Sequence, residues 1–251
     1  MPTLSFPALR DEVCRANRDL ASAGLVALAF GNASGVDRAA GVMLIKPSGI
    51  ACDAVRPEQL VAVRLADGDV VEGALRPSSD TPTHLELYRR YAAIGGVVHT
   101  HSTEAAAFAQ ARLDIPCLGT THADHFCGPV PVTRPLTDAE IDGDYERETG
   151  VVIAETLDDR GYGEDPLAMP AVLVAGHGPF AWGSNAVEAA RNATAVELVA
   201  GIARRTLALA ADAPALSERL RTRHFSRKHG PAAYYGQPRD PGPPGGASED
   251  A

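Results

Sequence analysis

The chain has 251 residues, 45% of them hydrophobic and 22% charged, and carries a net charge of −9. That length can bury a large core, and the balance is that of a globular protein rather than a disordered one. The acidic excess argues against duplex DNA or an anionic membrane as partner, because both reward a basic face.

Residues 7–23 predict an amphipathic helix stopped near Gly24. "LVALAF", residues 25–30, predicts a short buried strand, and "GNASG" after it a loop. "GVMLIKPSGI", 41–50, predicts a strand running into a Pro-Ser-Gly turn. Residues 60–73 predict a hairpin with Asp67-Gly68 at its turn. In "PSSDTPTHLELYRRYAAIGG", Thr81 can cap a helix, Pro82 suits its first position, and Gly95-Gly96 close it. Residues 97–101 form the next strand and "STEAAAFAQ" the next helix. One long helix is expected after Thr137, acidic at its start where the helix dipole favours negative charge. "AVLVAGHGPFAWG" reads as a strand ending in a His-Gly-Pro turn, and "NAVEAARNATAVELVAGIARRTLAL" as a long Ala-rich helix. The tail, residues 238–251, is Pro/Gly-rich and polar and is expected to be disordered. The pattern predicts one α/β domain.

Cys14, Cys52, Cys117 and Cys127 are scattered without a Cys-x-x-Cys pair, as reduced thiols of a cytoplasmic protein would be. The N-terminus meets charge at Arg10 and Asp11, which fits no secretory signal. Apolar runs fall short of the roughly 18 to 20 residues that span a bilayer. A soluble, cytoplasmic chain is expected.

Two groups of residues carry chemistry. In "GGVVHTHSTEAAAF", His99 and His101 stand two apart, so a strand would turn both to one face. His177, where a strand meets a Gly-Pro turn, and Asp80, before the helix leading back to the histidine strand, could join them. Three nitrogens and a carboxylate suit zinc. A helix-entry carboxylate and a turn histidine are equally ordinary structural features, and spacing does not choose four ligands among eight histidines. His84, His122 and His125 are assigned to surface or supporting positions. Separately, the turns "GNAS", "KPSG" and "PSSD" could together form an anion nest of backbone N–H groups and hydroxyls, with Lys46 as a point charge. None of them is a P-loop or a dinucleotide fingerprint.

"GNASG", "IKPSGI", "PSSDTPTHLELYRRYAAIGGVVHTHS", "GTTHADHFCG", "GHGPFAWG" and "KHGPAAYYGQ" occur in this order. Together they resemble the class II aldolase/adducin family over roughly residues 7–237, and within it the enzymes that epimerise L-ribulose 5-phosphate at C4. The resemblance implies a catalytic domain over 1–237, built as a single three-layer αβα domain with a central, mostly antiparallel sheet. It implies a homotetramer with the active site at a subunit interface and a sugar phosphate as substrate. One divalent metal per subunit, typically zinc, would be held by Asp80, His99, His101 and His177. Gly31, Asn32, Lys46, Ser48, Gly49, Ser78 and Ser79 would contact the sugar phosphate. Asp124 and Tyr235 would be the acid/base pair, with Tyr235 reaching in from the neighbouring subunit. Thr120, Glu146, His224 and Arg227 match positions that line the site.

His125 and Cys127 depart from the pattern, standing where tyrosine-like residues are expected. Aldolases of the family that act on a 1-phosphorylated deoxyketose, such as L-fuculose 1-phosphate, share the histidines but carry glutamate at the position of Asp80. "PSSD" therefore points to epimerisation. A non-catalytic, adducin-like scaffold would have no need of the complete ligand set.

Overall fold

The computed structural model describes residues 5–229 and 233–234. The expected tail, 238–251, and Tyr235 lie outside the described residues, as does the end of the expected 1–237 domain. Among the described residues, seven strands form one sheet. In chain order they are β1 (Asn32–Asp37), β2 (Val42–Ile45), β3 (Val61–Arg64), β4 (Val70–Glu72), β5 (Gly96–His99), β6 (Ala171–Val174) and β7 (Gly178–Gly183). Their spatial order is β4-β3-β2-β1-β5-β7-β6, and every strand pairs antiparallel with its neighbours.

The helices are α1 (Pro7–Ser22), α2 (Thr81–Arg90), α3 (Thr103–Ala111), α4 (Thr120–Ala123), α5 (Asp138–Asp142), α6 (Tyr145–Asp159), α7 (Ala186–Leu209) and α8 (Glu218–His229). Helices α1, α3 and α7 pack against one face of the sheet, while α2 and α6 pair with each other on the opposite side. The core between these layers is apolar, with Met43, Leu44, Ile45, Val97, Leu173 and Trp182 fully buried. The expected mixed α/β fold with an antiparallel sheet is what the chain adopts.

Several local expectations are overturned. Residues 25–30 are not a strand: Leu28 adopts φ 56° and is 81% exposed, and the strand begins instead inside the stretch read as a loop. The reason lies in packing, not propensity. A Cβ on Gly35 would sit 2.9 Å from both Leu9 Cδ1 and Val13 Cγ2, so α1 lies almost directly on β1 and only small residues fit between them. Asn17 of α1 seals this contact by bonding both the N–H and the C=O of Ala33.

Gly95 and Gly96 do not close α2, which already ends at Arg90. They let the chain pass under the β7–α7 junction, where a Cβ would collide with the Ser184 carbonyl and with Ala186 Cα. The long helix expected after Thr137 is two helices. Gly143 leaves helical geometry at ψ −129°, and Asp144 then caps α6 at the Arg147 amide. The segment holding His177 is a β6–β7 hairpin rather than one strand, its turn made by Gly176 at φ 75°.

Candidate metal and anion site

β5 ends at His99, and His101 follows just beyond the strand, still turned to the same side. The β6–β7 turn brings His177 to both of them. A Cβ on Gly178 would approach Thr100 O to 2.7 Å, so glycine is what lets this turn close over the histidine strand. His101 Nε2 lies 2.9 Å from His99 Nε2 and 3.1 Å from His177 Nε2. Two Zn–N bonds of about 2.05 Å at a tetrahedral angle span about 3.3 Å. These two separations lie near that value, and all three ligand atoms lie within 4.8 Å of one another, an arrangement one ion could join.

The surroundings set which nitrogens are free. His99 Nδ1 donates to the Pro179 carbonyl at 3.1 Å, which leaves its Nε2 lone pair facing the other two rings. Tyr145 Oη stands 3.4 Å from His177 Nδ1 and can hold that ring in the same sense. Phe180 stacks on His99 with centroids 4.2 Å apart, and Phe30 stacks on His101 at 5.6 Å. Burial, then the neighbouring His177 and His101, hold His99 well below the ordinary histidine range. Burial and His101 lower His177 too, against an opposing pull from Asp80. Both shifts favour the neutral rings of His99 and His177, the form that can donate a lone pair. His99 is buried, His177 half-buried and His101 exposed, so the group opens to solvent on one side.

Asp80 does not cap α2; its side chain makes no cap bond there. Instead its carboxylate accepts from Asn32 Nδ2 at 2.6 Å. It acts electrostatically on His177 but is not among the three groups whose ligand atoms converge. Thr81 is the first helical residue rather than the cap, and its hydroxyl donates to the Ser78 carbonyl.

The three Gly/Ser turns are neighbours. Ser78 N–H donates to the Lys46 carbonyl and Ser48 N–H to the Arg76 carbonyl, both at 3.0 Å, and Asn32 Nδ2 donates to Ser78 Oγ at 3.0 Å. Ser48, Gly49 and Ser79 are exposed on this assembly, and Gly49 turns the chain at φ 74°. Gly31, at φ 77°, packs beside the His99 carbonyl, 3.0 Å from where its Cβ would stand. Lys46 differs from the sequence expectation of a free point charge. It is buried, and its ammonium donates to the carbonyls of Ala29, Pro47 and Ile50, the last at 2.5 Å. Burial lowers its pKa, while nearby Cys52 and Asp80 oppose that shift.

Asp124, at the C-terminal end of α4, belongs to a second cluster. It accepts from Arg227 Nε at 3.0 Å and Nη2 at 2.6 Å, and it pairs with His224 Nδ1 at 3.0 Å. Burial raises its pKa, but the bonds from Arg227 and His224 outweigh that and keep it below the usual carboxylate range. His229 Nε2 meets the Asp124 carbonyl at 3.0 Å. Helix α8, which supplies all three partners, carried no signal in the pattern of apolar residues, since none of its residues is buried. Thr120 starts α4, and its carbonyl accepts the Asp124 N–H; Glu146 lies in the first turn of α6, where its carbonyl accepts the Thr83 hydroxyl. The Cys127 thiol is raised by burial, opposed by its contact with Tyr162, and His125 is lowered by burial. His84 and His122, assigned to the surface or to support, are both fully or nearly fully buried.

A sequence profile described as "Class II Aldolase and Adducin N-terminal domain" matches residues 11–203. Solved structures of similar fold include an L-fuculose 1-phosphate aldolase, 24% identical with a TM-score of 0.71, covering 90% of this chain and 97% of that one. An L-fuculose-1-phosphate aldolase from Thermus thermophilus is 28% identical with a TM-score of 0.61, covering 83% and 98%. An aldolase II superfamily protein from Pseudomonas syringae is 18% identical with a TM-score of 0.72, covering 92% and 90%.

Proposed function

The chain belongs to the class II aldolase and adducin family, and from that membership we propose that it is a metal-dependent epimerase interconverting L-ribulose 5-phosphate and D-xylulose 5-phosphate at C4. The observation that carries the reading is the convergence of His99, His101 and His177 beside Asp80 and the joined turns at 31–34, 46–49 and 77–80. The proposed ion is zinc, with Asp80 as fourth ligand. When bound, it supplies Lewis acidity that stabilises negative charge on a substrate oxygen, worth several kcal/mol of barrier.

The C4 proton of L-ribulose 5-phosphate is not acidic, because the ketone is at C2. Inversion therefore requires cleavage of C3–C4 to an enediolate and glycolaldehyde phosphate, followed by rejoining on the other face of the aldehyde. This chain's residues have separable tasks in that scheme. The exposed Ser48, Gly49 and Ser79 ends of the turns, with Gly31, Asn32 and Ser78 behind them, bind the phosphate and keep the fragment from escaping, which preserves its effective concentration. Lys46 holds the turns in register through its three carbonyls. Asp124, ionised by Arg227 and His224, takes the proton of the C4 hydroxyl as C3–C4 breaks. Tyr235 serves the opposite face.

The hydrogen-bond partners of the Asp124 carboxylate lie on α8, and none is a histidine of the cluster. The proposed site is assembled from two subunits of a homotetramer, with Tyr235 coming from the neighbour. The two L-fuculose-1-phosphate aldolase structures favour a second reading, an aldolase that releases its aldehyde. Incubation of Zn2+-loaded protein with L-ribulose 5-phosphate separates the two. D-xylulose 5-phosphate is the expected product, and Tyr235→Phe should lose most of its formation while keeping the metal. Free glycolaldehyde phosphate, or turnover of L-fuculose 1-phosphate alone, would assign the aldolase instead.

A further inference from the structure

Strand β1 and helix α2 meet along a polar seam. Asn32 and Ser34 point from one face of β1, and Asp80, His84 and Tyr88 are spaced four apart along α2. They join in register: Asn32 Nδ2 to Asp80 Oδ2 at 2.6 Å, Ser34 Oγ to His84 Nδ1 at 2.7 Å, and Ser34 Oγ to Tyr88 Oη at 2.8 Å. His84, Ser34 and Asn32 are all buried, in a protein whose α2 could have closed this contact with aliphatic side chains. Behind the seam, the His84 ring meets the edge of Phe180 at 6.2 Å, and Phe180 in turn stacks on His99.

The direction of the hydrogen bonds follows from what each group can give. If Tyr88 O–H donates to Ser34 and Ser34 O–H donates to His84 Nδ1, only the His84 Nε2–H is left without a partner. The opposite direction strands both the tyrosine proton and the Nε2 lone pair. The ring is therefore neutral with its proton on Nε2, which agrees with the downward push that burial gives it, to about 3. Two buried atoms on this seam have no partner, His84 Nε2 and Asn32 Oδ1, one a donor and the other an acceptor. Buried polar groups are normally paired, and such exceptions cluster where geometry is held for another purpose.

We infer that His84 is a positioning residue: bonded to Ser34 and braced on Phe180, it sets the β1–α2 spacing that aims Asp80, through Asn32, and seats His99. The inference rests on the metal reading above and adds a residue that touches neither ion nor substrate. Residues that hydrogen-bond a ligand directly change metal affinity by about 10- to 100-fold when replaced; His84 acts through Ser34 and Phe180, one contact further out, and its replacement should cost several-fold.

The test is Co2+ binding to the metal-free full chain, read by its visible absorption and by titration without substrate, alongside thermal melting. His84→Phe should remain folded, bind Co2+ several-fold more weakly and show an altered absorption envelope; His84→Gln, which can still meet Ser34, should recover part of the affinity. An unchanged dissociation constant and spectrum in folded His84→Phe overturns the inference while leaving the metal site standing. Should that variant not fold, Ser34→Ala decides by the same criteria, a several-fold loss supporting the inference and no change overturning it. A wild-type chain that takes up no Co2+ brings down the metal reading, and this inference with it.

Discussion

His122 places Nε2 2.8 Å from the Gly128 carbonyl and leaves Nδ1 buried without a partner. Burial pushes its pKa down to about 4. Between about pH 6.5, where the free side chain titrates, and about pH 4, the unfolded chain therefore binds a proton that the folded chain refuses. The sign is fixed by that inequality: stability is lost as pH falls through this window, by about 1.4 kcal/mol per pH unit for each such histidine. His122→Phe should be less stable at pH 7, where the Gly128 bond is lost, yet its urea midpoint should fall less steeply than the wild type's from pH 6.5 to pH 4. Parallel slopes for the two proteins would mean that His122 accepts a proton in the folded state. His84 adds a similar slope in both proteins, so the difference rather than the absolute curve carries the information.

At the level of elements, the β6–β7 hairpin places the third imidazole, and its tolerance can be measured. Gly178→Ala drives a methyl to 2.7 Å from the Thr100 carbonyl, so the turn must lift away from the histidine strand. The expected cost is about 1 to 3 kcal/mol, together with weakened metal uptake as His177 withdraws from His101. Gly176→Ala, where space is open but φ is 75°, should cost about 1 kcal/mol and spare the metal. Equal effects of the two substitutions on metal binding would remove the close approach at Gly178 from the account.

These elements also show what sequence can and cannot reveal. The His99/His101 pair was legible because alternation along a strand is a local rule, and His177 because Gly-His-Gly-Pro marks a turn. The hairpin at Asp67-Gly68 was legible for the same reason, with Gly68 at φ 87°. Strand β1 was not, since its Ala, Ser and Gly residues were selected by how near α1 lies, which no window of neighbours contains. The buried role of His84 was hidden likewise, because helical spacing alone does not say which face meets Ser34. Lys46 read as a charge for phosphate and became a fastener of three carbonyls, a fate decided by loops 17 residues before it and four after.

For the whole molecule, no helix among the described residues is long and apolar enough to cross a membrane. The proposed assembly places the histidine cluster of one subunit against Tyr235 of the next, and mixed oligomers can test that. Coexpressed His99→Asn and Tyr235→Phe chains, each nearly inactive alone, should recover about a quarter of wild-type activity if neighbours share sites at random in a closed ring. No recovery in oligomers verified to contain both chains would place every working group within one protomer.

For the proposed ion, the uneven exposure of the three imidazoles would set its traffic through the site. His99 lies at the floor with its ring pinned by Phe180 and Pro179, whereas His101 stands at the mouth beneath Phe30. An ion held as proposed would leave from the mouth, with the floor contact breaking last. Replacing Phe30 would hasten exchange in both directions while leaving the resting occupancy almost untouched.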